Sequence, residues 1–156
     1  YHLSNAHPSA IQILRKLDHS AIFVLIAGTY TPICYNFFTG FWQWGLLSII
    51  WGIAIVGIVL KMFYMKTPRW LTAGIYLVMG WLCVLALPEM LARIPNGGLL
   101  WLLAGGVFYT VGAIIYSTKA LNLFPGKFGF HEVWHIFVML GALAHFIMIA
   151  VYIASP

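Results

Sequence analysis

The sequence predicts an all-α, polytopic transmembrane helix bundle. Composition comes first: of 156 residues, 63% are hydrophobic and only 7% charged, with a mean hydropathy of +0.96. A soluble domain carries about 25% charged residues. Length comes second: the apolar residues fall into runs of roughly 18–22 residues, enough to cross about 30 Å of hydrocarbon as helices. Pattern comes third: the runs are continuous and do not alternate, which excludes a β-barrel. A single membrane domain over residues 1–156 follows, with no second domain, internal repeat or low-complexity segment.

Taken in order, residues 1–4 read as the last turn of a span whose start is absent, so the chain is expected to lack N-terminal spans. Asn5 to Lys16 form a polar connection, in part an interfacial helix. The first complete span is expected over about 19–38, opened by Asp18, with a tight turn at Thr39-Gly40. The second covers about 42–62 and leads into a basic loop to Arg69. The third covers about 70–87 and breaks at Pro88, because proline cannot continue the ladder of helical hydrogen bonds. After a turn at Pro95-Asn96-Gly97-Gly98, the fourth span covers about 99–116. A loop containing Pro125-Gly126 precedes the fifth, about 131–154. Trp42, Trp44, Trp70, Trp101 and Tyr116 lie near span ends, where aromatic belts form. Gly52, Gly57, Gly105, Gly106 and Gly112 suggest close helix contacts.

The net charge is +5. The eight Lys and Arg are scattered through short loops, so no nucleic-acid surface is implied. Arg15 and Lys16, then Lys61, Lys66 and Arg69, then Lys119 and Lys127 mark alternate loops, and the intervening loops are neutral or balanced. By the positive-inside rule the basic loops are cytoplasmic and the C-terminus is outside. Cys34 and Cys83 fall within spans and indicate neither a disulfide framework nor a cysteine zinc site.

Chemistry concentrates at His131-Glu132-Val133-Trp134-His135. Residues four apart share a helix face with Cβ atoms about 6 Å apart, so two imidazoles can close on one metal ion. The pattern is also H-E-x-x-H, in which two histidines hold zinc and the glutamate can act as general base. At 1.5 Å per residue, Cys34, Cys83 and His145 lie about 15 Å or more from this level, too deep to share the metal. His2, His7, Asp18 and His19 remain at the cytoplasmic level. Asp18, the only aspartate, could equally cap a helix or pair with Arg15 or Lys16. His19 points about 100° away from Asp18 on a helix, so at most one of the two is well aimed. The bland alternative for His131 and His135 is a pair of interfacial histidines without metal. For His145 it is a hydrogen-bonded histidine inside the bundle.

Four stretches carry a resemblance: Leu17-Asp18-His19-Ser20-Ala21-Ile22 with its continuation to Pro32, Gly129-Phe130-His131-Glu132-Val133-Trp134-His135, Tyr1-His2-Leu3-Ser4, and Gly105 to Gly112. Together they resemble the hemolysin III family, bacterial proteins grouped with the adiponectin and progestin receptors and, more distantly, the alkaline ceramidases. The similarity spans essentially the whole chain. It implies seven spans with the N-terminus inside and the C-terminus outside, so that the first span and most of the second precede this sequence. It also implies zinc near the cytoplasmic face held by three histidines, mapping onto His2, His131 and His135, and an Asp near the zinc-associated water, mapping onto Asp18. The receptor branch has Gln where this chain has Glu132, so no general-base role is carried onto Glu132.

Three neutral histidines with one open position are the layout of a catalytic zinc. The resulting expectation is a zinc-dependent hydrolase of a lipid amide or ester in the bacterial inner membrane, with membrane lipid as its partner and no soluble partner. Three alternatives stand beside it: a non-enzymatic regulator of membrane lipid or energy state with structural zinc, a pore-forming cytolysin, and an intramembrane HExxH metalloprotease. A pore-former needs a soluble form, for which this chain is too apolar throughout.

Overall fold

The computed structural model describes residues 8–63, 68–121 and 129–154. Those residues are helical nearly throughout, in the order α1 (Pro8–Phe37), α2 (Gly40–Phe63), α3 (Arg69–Trp81), a 3-10 segment (Leu82–Ala86), α4 (Leu87–Arg93), α5 (Asn96–Thr118) and α6 (Phe130–Tyr152). Among them, five helical stretches are long and apolar enough to cross a membrane: α1, α2, α3 through α4, α5 and α6. The chain is a polytopic helical membrane bundle.

α1 begins at Pro8, well before the expected opening at Asp18. A proline at the first helical position loses nothing, since that N–H has no helical partner. Nothing in the following polar stretch breaks a helix, and Ile13, Leu14 and Leu17 give it an exposed apolar face. Lys16 Nζ donates to the Met62 carbonyl oxygen at 2.7 Å, which satisfies one of the open carbonyls at the end of α2. Pro32 sits inside α1 without ending it. Gly40, at φ +57°, makes the turn into α2 in a conformation costly to other residues.

The third span differs from expectation in where it changes. The helix tightens to 3-10 over Leu82–Ala86, and Pro88 stands in the first turn of α4. Proline removes a donor and crowds the carbonyl four residues back, so the disturbance falls on the turn before it. Tyr30 of α1 serves the freed backbone. Its O–H lies 2.9 Å from the Met79 carbonyl oxygen and 2.8 Å from that of Gly80, and its oxygen accepts the Cys83 N–H at 3.0 Å.

α5 and α6 form the most extensive helix pair; α1 packs on α2 and α3 on α5. Glycines set the closest approaches. A Cβ on Gly57 would collide with the Phe23 ring, and one on Gly112 with Phe137 and Trp134. Gly52, expected at a close contact, faces open space. Phe23, Ile50, Met79 and Met148 are among the fully buried side chains of the core. Tyr116, expected in an interfacial belt, is buried instead, whereas Trp44 and Trp70 are exposed.

Candidate metal centre

α1 and α6 bring the cluster together. Asp18 is one turn above the buried Ile22 and Phe23 on α1; His131 and His135 occupy the first two turns of α6. The sequence starts α6 there because Gly129 gives an extended residue just before it, at φ −108° and ψ −171°. Glu132 then turns back to accept the Gly129 N–H at 2.8 Å. This is half of a capping box, and it directs the carboxylate to the helix end.

His131 is held in an aromatic cradle. Trp134 stacks on Tyr116 with ring centroids 4.4 Å apart and 29° between planes. The His131 ring meets Trp134 edge-on at 5.1 Å and lies 5.9 Å from Tyr116. The cradle exists because Gly112 lets α5 approach α6 at Trp134.

The two imidazoles converge, Nε2 to Nε2, at 3.1 Å. Asp18 faces both: Oδ1 is 3.5 Å from His135 Nε2, and Oδ2 is 3.6 Å from His131 Nε2. The three residues can each direct a ligand atom to one point, all within 4.8 Å of one another. Zinc–nitrogen bonds of 2.0–2.1 Å in a tetrahedron place neighbouring ligand atoms about 3.3 Å apart. The Asp18 separations are long for hydrogen bonds and suited to ligands sharing one ion. Asp18 Oδ2 is buried and has no hydrogen-bond partner among the described residues. The polar group that faces this oxygen is the His131 imidazole, 3.6 Å away. The side chains are 12% exposed for His131, 34% for His135 and 22% for Asp18, so the cluster is at a mouth of the bundle and not sealed within it.

His2 and His7 lie outside the described residues. His19 does not join the cluster. Its ring packs 6.3 Å from both Tyr116 and Trp134, and its carbonyl accepts the Tyr76 O–H at 2.9 Å, tying α3 to α1 beneath the site. Cys34 and Cys83 are free and lie deeper in the bundle. His145 Nε2 lies 3.4 Å from the Leu102 carbonyl oxygen.

Below the cluster, an apolar cavity of about 280 Å³ extends between α1, α3, α5 and α6. Tyr116 and Trp134 line it at the cluster end, and Tyr30 and His145 line it deeper. Trp81, Val84, Leu87 and Leu91, along the 3-10 segment and α4, also line it and are exposed among the described residues. Sequence reasoning missed this cavity and the Tyr116–Trp134 stack. The aromatic spacing signals neither, because α5 and α6 meet only through the fold.

Fold and site thus define a class: a helical membrane protein with a His/His/Asp cluster above an apolar cavity. The family model described as "Haemolysin-III related" matches residues 1–146, and the chain belongs to that family. It is 40% identical over 149 residues to "Hemolysin-3 homolog" of Bacillus subtilis (strain 168), covering 96% of this chain and 67% of that protein. It is 38% identical over 147 residues to "Hemolysin-3" of Bacillus cereus, covering 94% of this chain and 64% of that protein. A more distant similarity, 27% over 163 residues, links it to "Adiponectin receptor protein" of Drosophila melanogaster, covering 94% of this chain and 37% of that protein. The chain therefore spans about two thirds of the length of its bacterial relatives.

Proposed function

We propose that the protein is a zinc-dependent hydrolase of a lipid amide or ester, working at the cytoplasmic face of a bacterial inner membrane. The observation that carries this is the convergence of Asp18, His131 and His135 above an apolar cavity. His131 and His135 would hold the metal together with His2. Zinc in such a site polarises a carbonyl and makes an associated water acidic. Asp18 orients the attacking water and takes its proton. The acyl chain lies in the cavity, entering from the bilayer past Trp81 and Val84, so that its carbonyl end stops at the cluster. The cytoplasmic assignment draws on charge: Lys16, Lys61 and Lys119 stand at the helix ends that share the cluster's end of the bundle.

One observation favours a second reading, a structural zinc in a non-enzymatic regulator of membrane lipid state. Asp18 lies near enough to both imidazoles to be a ligand itself. With His2 it would complete four ligands and close the site. The pore-forming reading gains no support from the geometry. The protease reading needs Glu132 as general base, whereas one of its oxygens accepts the Gly129 N–H here.

The test is release of fatty acid from lipid amides and esters by the full-length protein that carries this chain, purified in detergent, beside His131→Ala and Asp18→Ala. Release by the parent, abolished in both variants while Asp18→Ala keeps its zinc, supports the hydrolase. Zinc in the parent without release, and loss of zinc in Asp18→Ala, supports the structural reading.

A further inference from the structure

His145 lies ten residues beyond His135 on α6, about 15 Å deeper along the axis at 1.5 Å per residue. It faces Tyr109 of α5 edge-on, with ring centroids 5.4 Å apart and 68° between planes. Two glycines make room for the pair. A Cβ on Gly105 of α5 would collide with the His145 ring, and one on Gly141 of α6 with the Tyr109 ring. Each helix therefore carries a glycine and a polar ring four residues apart on one face, and each ring lies in the notch of the other helix. Polar rings so placed within a membrane call for a partner.

The polar atoms say what kind of partner. His145 Nε2 lies 3.4 Å from the Leu102 carbonyl oxygen, which can only accept; a hydrogen bond there puts the proton on Nε2 and leaves Nδ1 as an acceptor. Nδ1 is buried without a hydrogen-bond partner among the described residues, and so is the Tyr109 hydroxyl oxygen. Both residues line the cavity below the metal centre. A single group that completes both donates to Nδ1 and accepts from the tyrosine O–H. A hydroxyl does both. A carbonyl or ester oxygen only accepts, and a hydrocarbon does neither.

We infer that Tyr109 and His145 form a recognition site for a hydroxyl carried far along the hydrocarbon chain of a lipid ligand. The ligand hydroxyl donates to His145 Nδ1 and accepts from Tyr109, which requires the two side chains to rotate until these buried atoms reach the cavity surface. The expected position of the hydroxyl rests on the proposed function, which sets the polar head of the ligand at Asp18, His131 and His135. The hydroxyl then lies about 15 Å from the head, the depth of His145. Recognition itself does not depend on hydrolysis.

The experiment measures equilibrium binding of radiolabelled octadecanoic, 2-hydroxyoctadecanoic and 12-hydroxyoctadecanoic acids to the purified full-length protein in detergent. It is repeated with Tyr109→Phe and His145→Phe, which keep a ring in each glycine notch, and zinc content is determined on every sample. The 12-hydroxy acid should bind about tenfold tighter than the other two, the effect of one net hydrogen bond. Each variant should bring the three acids to parity with zinc content unchanged. Parity in the parent means that water alone completes the pair, and it overturns the inference. A preference that survives Tyr109→Phe overturns it too, and equal preference for the 2-hydroxy acid overturns the position. If His131→Ala abolishes zinc and no hydrolysis is found in the parent, while the 12-hydroxy preference persists, the hydrolase reading fails and this site stands.

Discussion

The Glu132 carboxylate accepts a hydrogen bond from the Gly129 backbone N–H at 2.8 Å, across the first turn of α6. The sequence H-E-V-W-H therefore divides its labour in an unexpected way. Its histidines face the cluster, and its glutamate caps the helix that carries them. Glu132→Gln keeps an acceptor for that N–H, so zinc content and thermal stability in detergent should stay near the parent's. Glu132→Ala loses the acceptor and should lower stability by about 1 kcal/mol. Loss of hydrolysis in Glu132→Gln with zinc retained would return the glutamate to a general-base role.

Tyr30 holds the irregular stretch of the third span by serving Met79, Gly80 and Cys83 with one hydroxyl. Tyr30→Phe removes that hydroxyl and leaves the Cys83 N–H unpaired in a largely buried place. A loss of about 1–3 kcal/mol is expected, read as a lower unfolding temperature in detergent. An unchanged unfolding temperature would mean that water takes over these backbone groups.

Gly57 of α2 lies directly against the Phe23 ring of α1, where a Cβ would collide. Gly57→Ala pushes a methyl group into the Phe23 ring and should cost about 1–3 kcal/mol. Phe23→Leu alone should destabilise by leaving a void, whereas the double variant should recover part of the loss. Strict additivity of the two single effects would show that the helices shift apart instead of repacking.

The helical membrane fold is legible in the sequence because it rests on composition and run length, which act through the bilayer and need no knowledge of partners. The level of the cluster is legible for a similar reason. Helical rise places Asp18 and His131 at one end of the bundle while excluding Cys34, Cys83 and His145. What resists a reading depends on who packs against whom. The break in the third span moves ahead of Pro88 because Tyr30, from another helix, stabilises it there. Tyr116 looks like a belt residue by position and is a core residue by contact with Trp134. Gly52 and Gly57 are indistinguishable in sequence, yet only Gly57 meets a neighbouring helix. Residues 8–16, expected in part as an interfacial helix, run without a break into α1 because no residue there interrupts the helix.

The most direct test of the metal centre is zinc per chain, by elemental analysis of the full-length protein purified in detergent, beside His131→Ala and Asp18→Ala. About one zinc per chain is predicted in the parent, lost in His131→Ala and kept in Asp18→Ala, where the aspartate orients water at an open catalytic site. No zinc in the parent after metal-replete expression would contradict the account, leaving His131, His135 and Asp18 as a polar mouth of a membrane bundle.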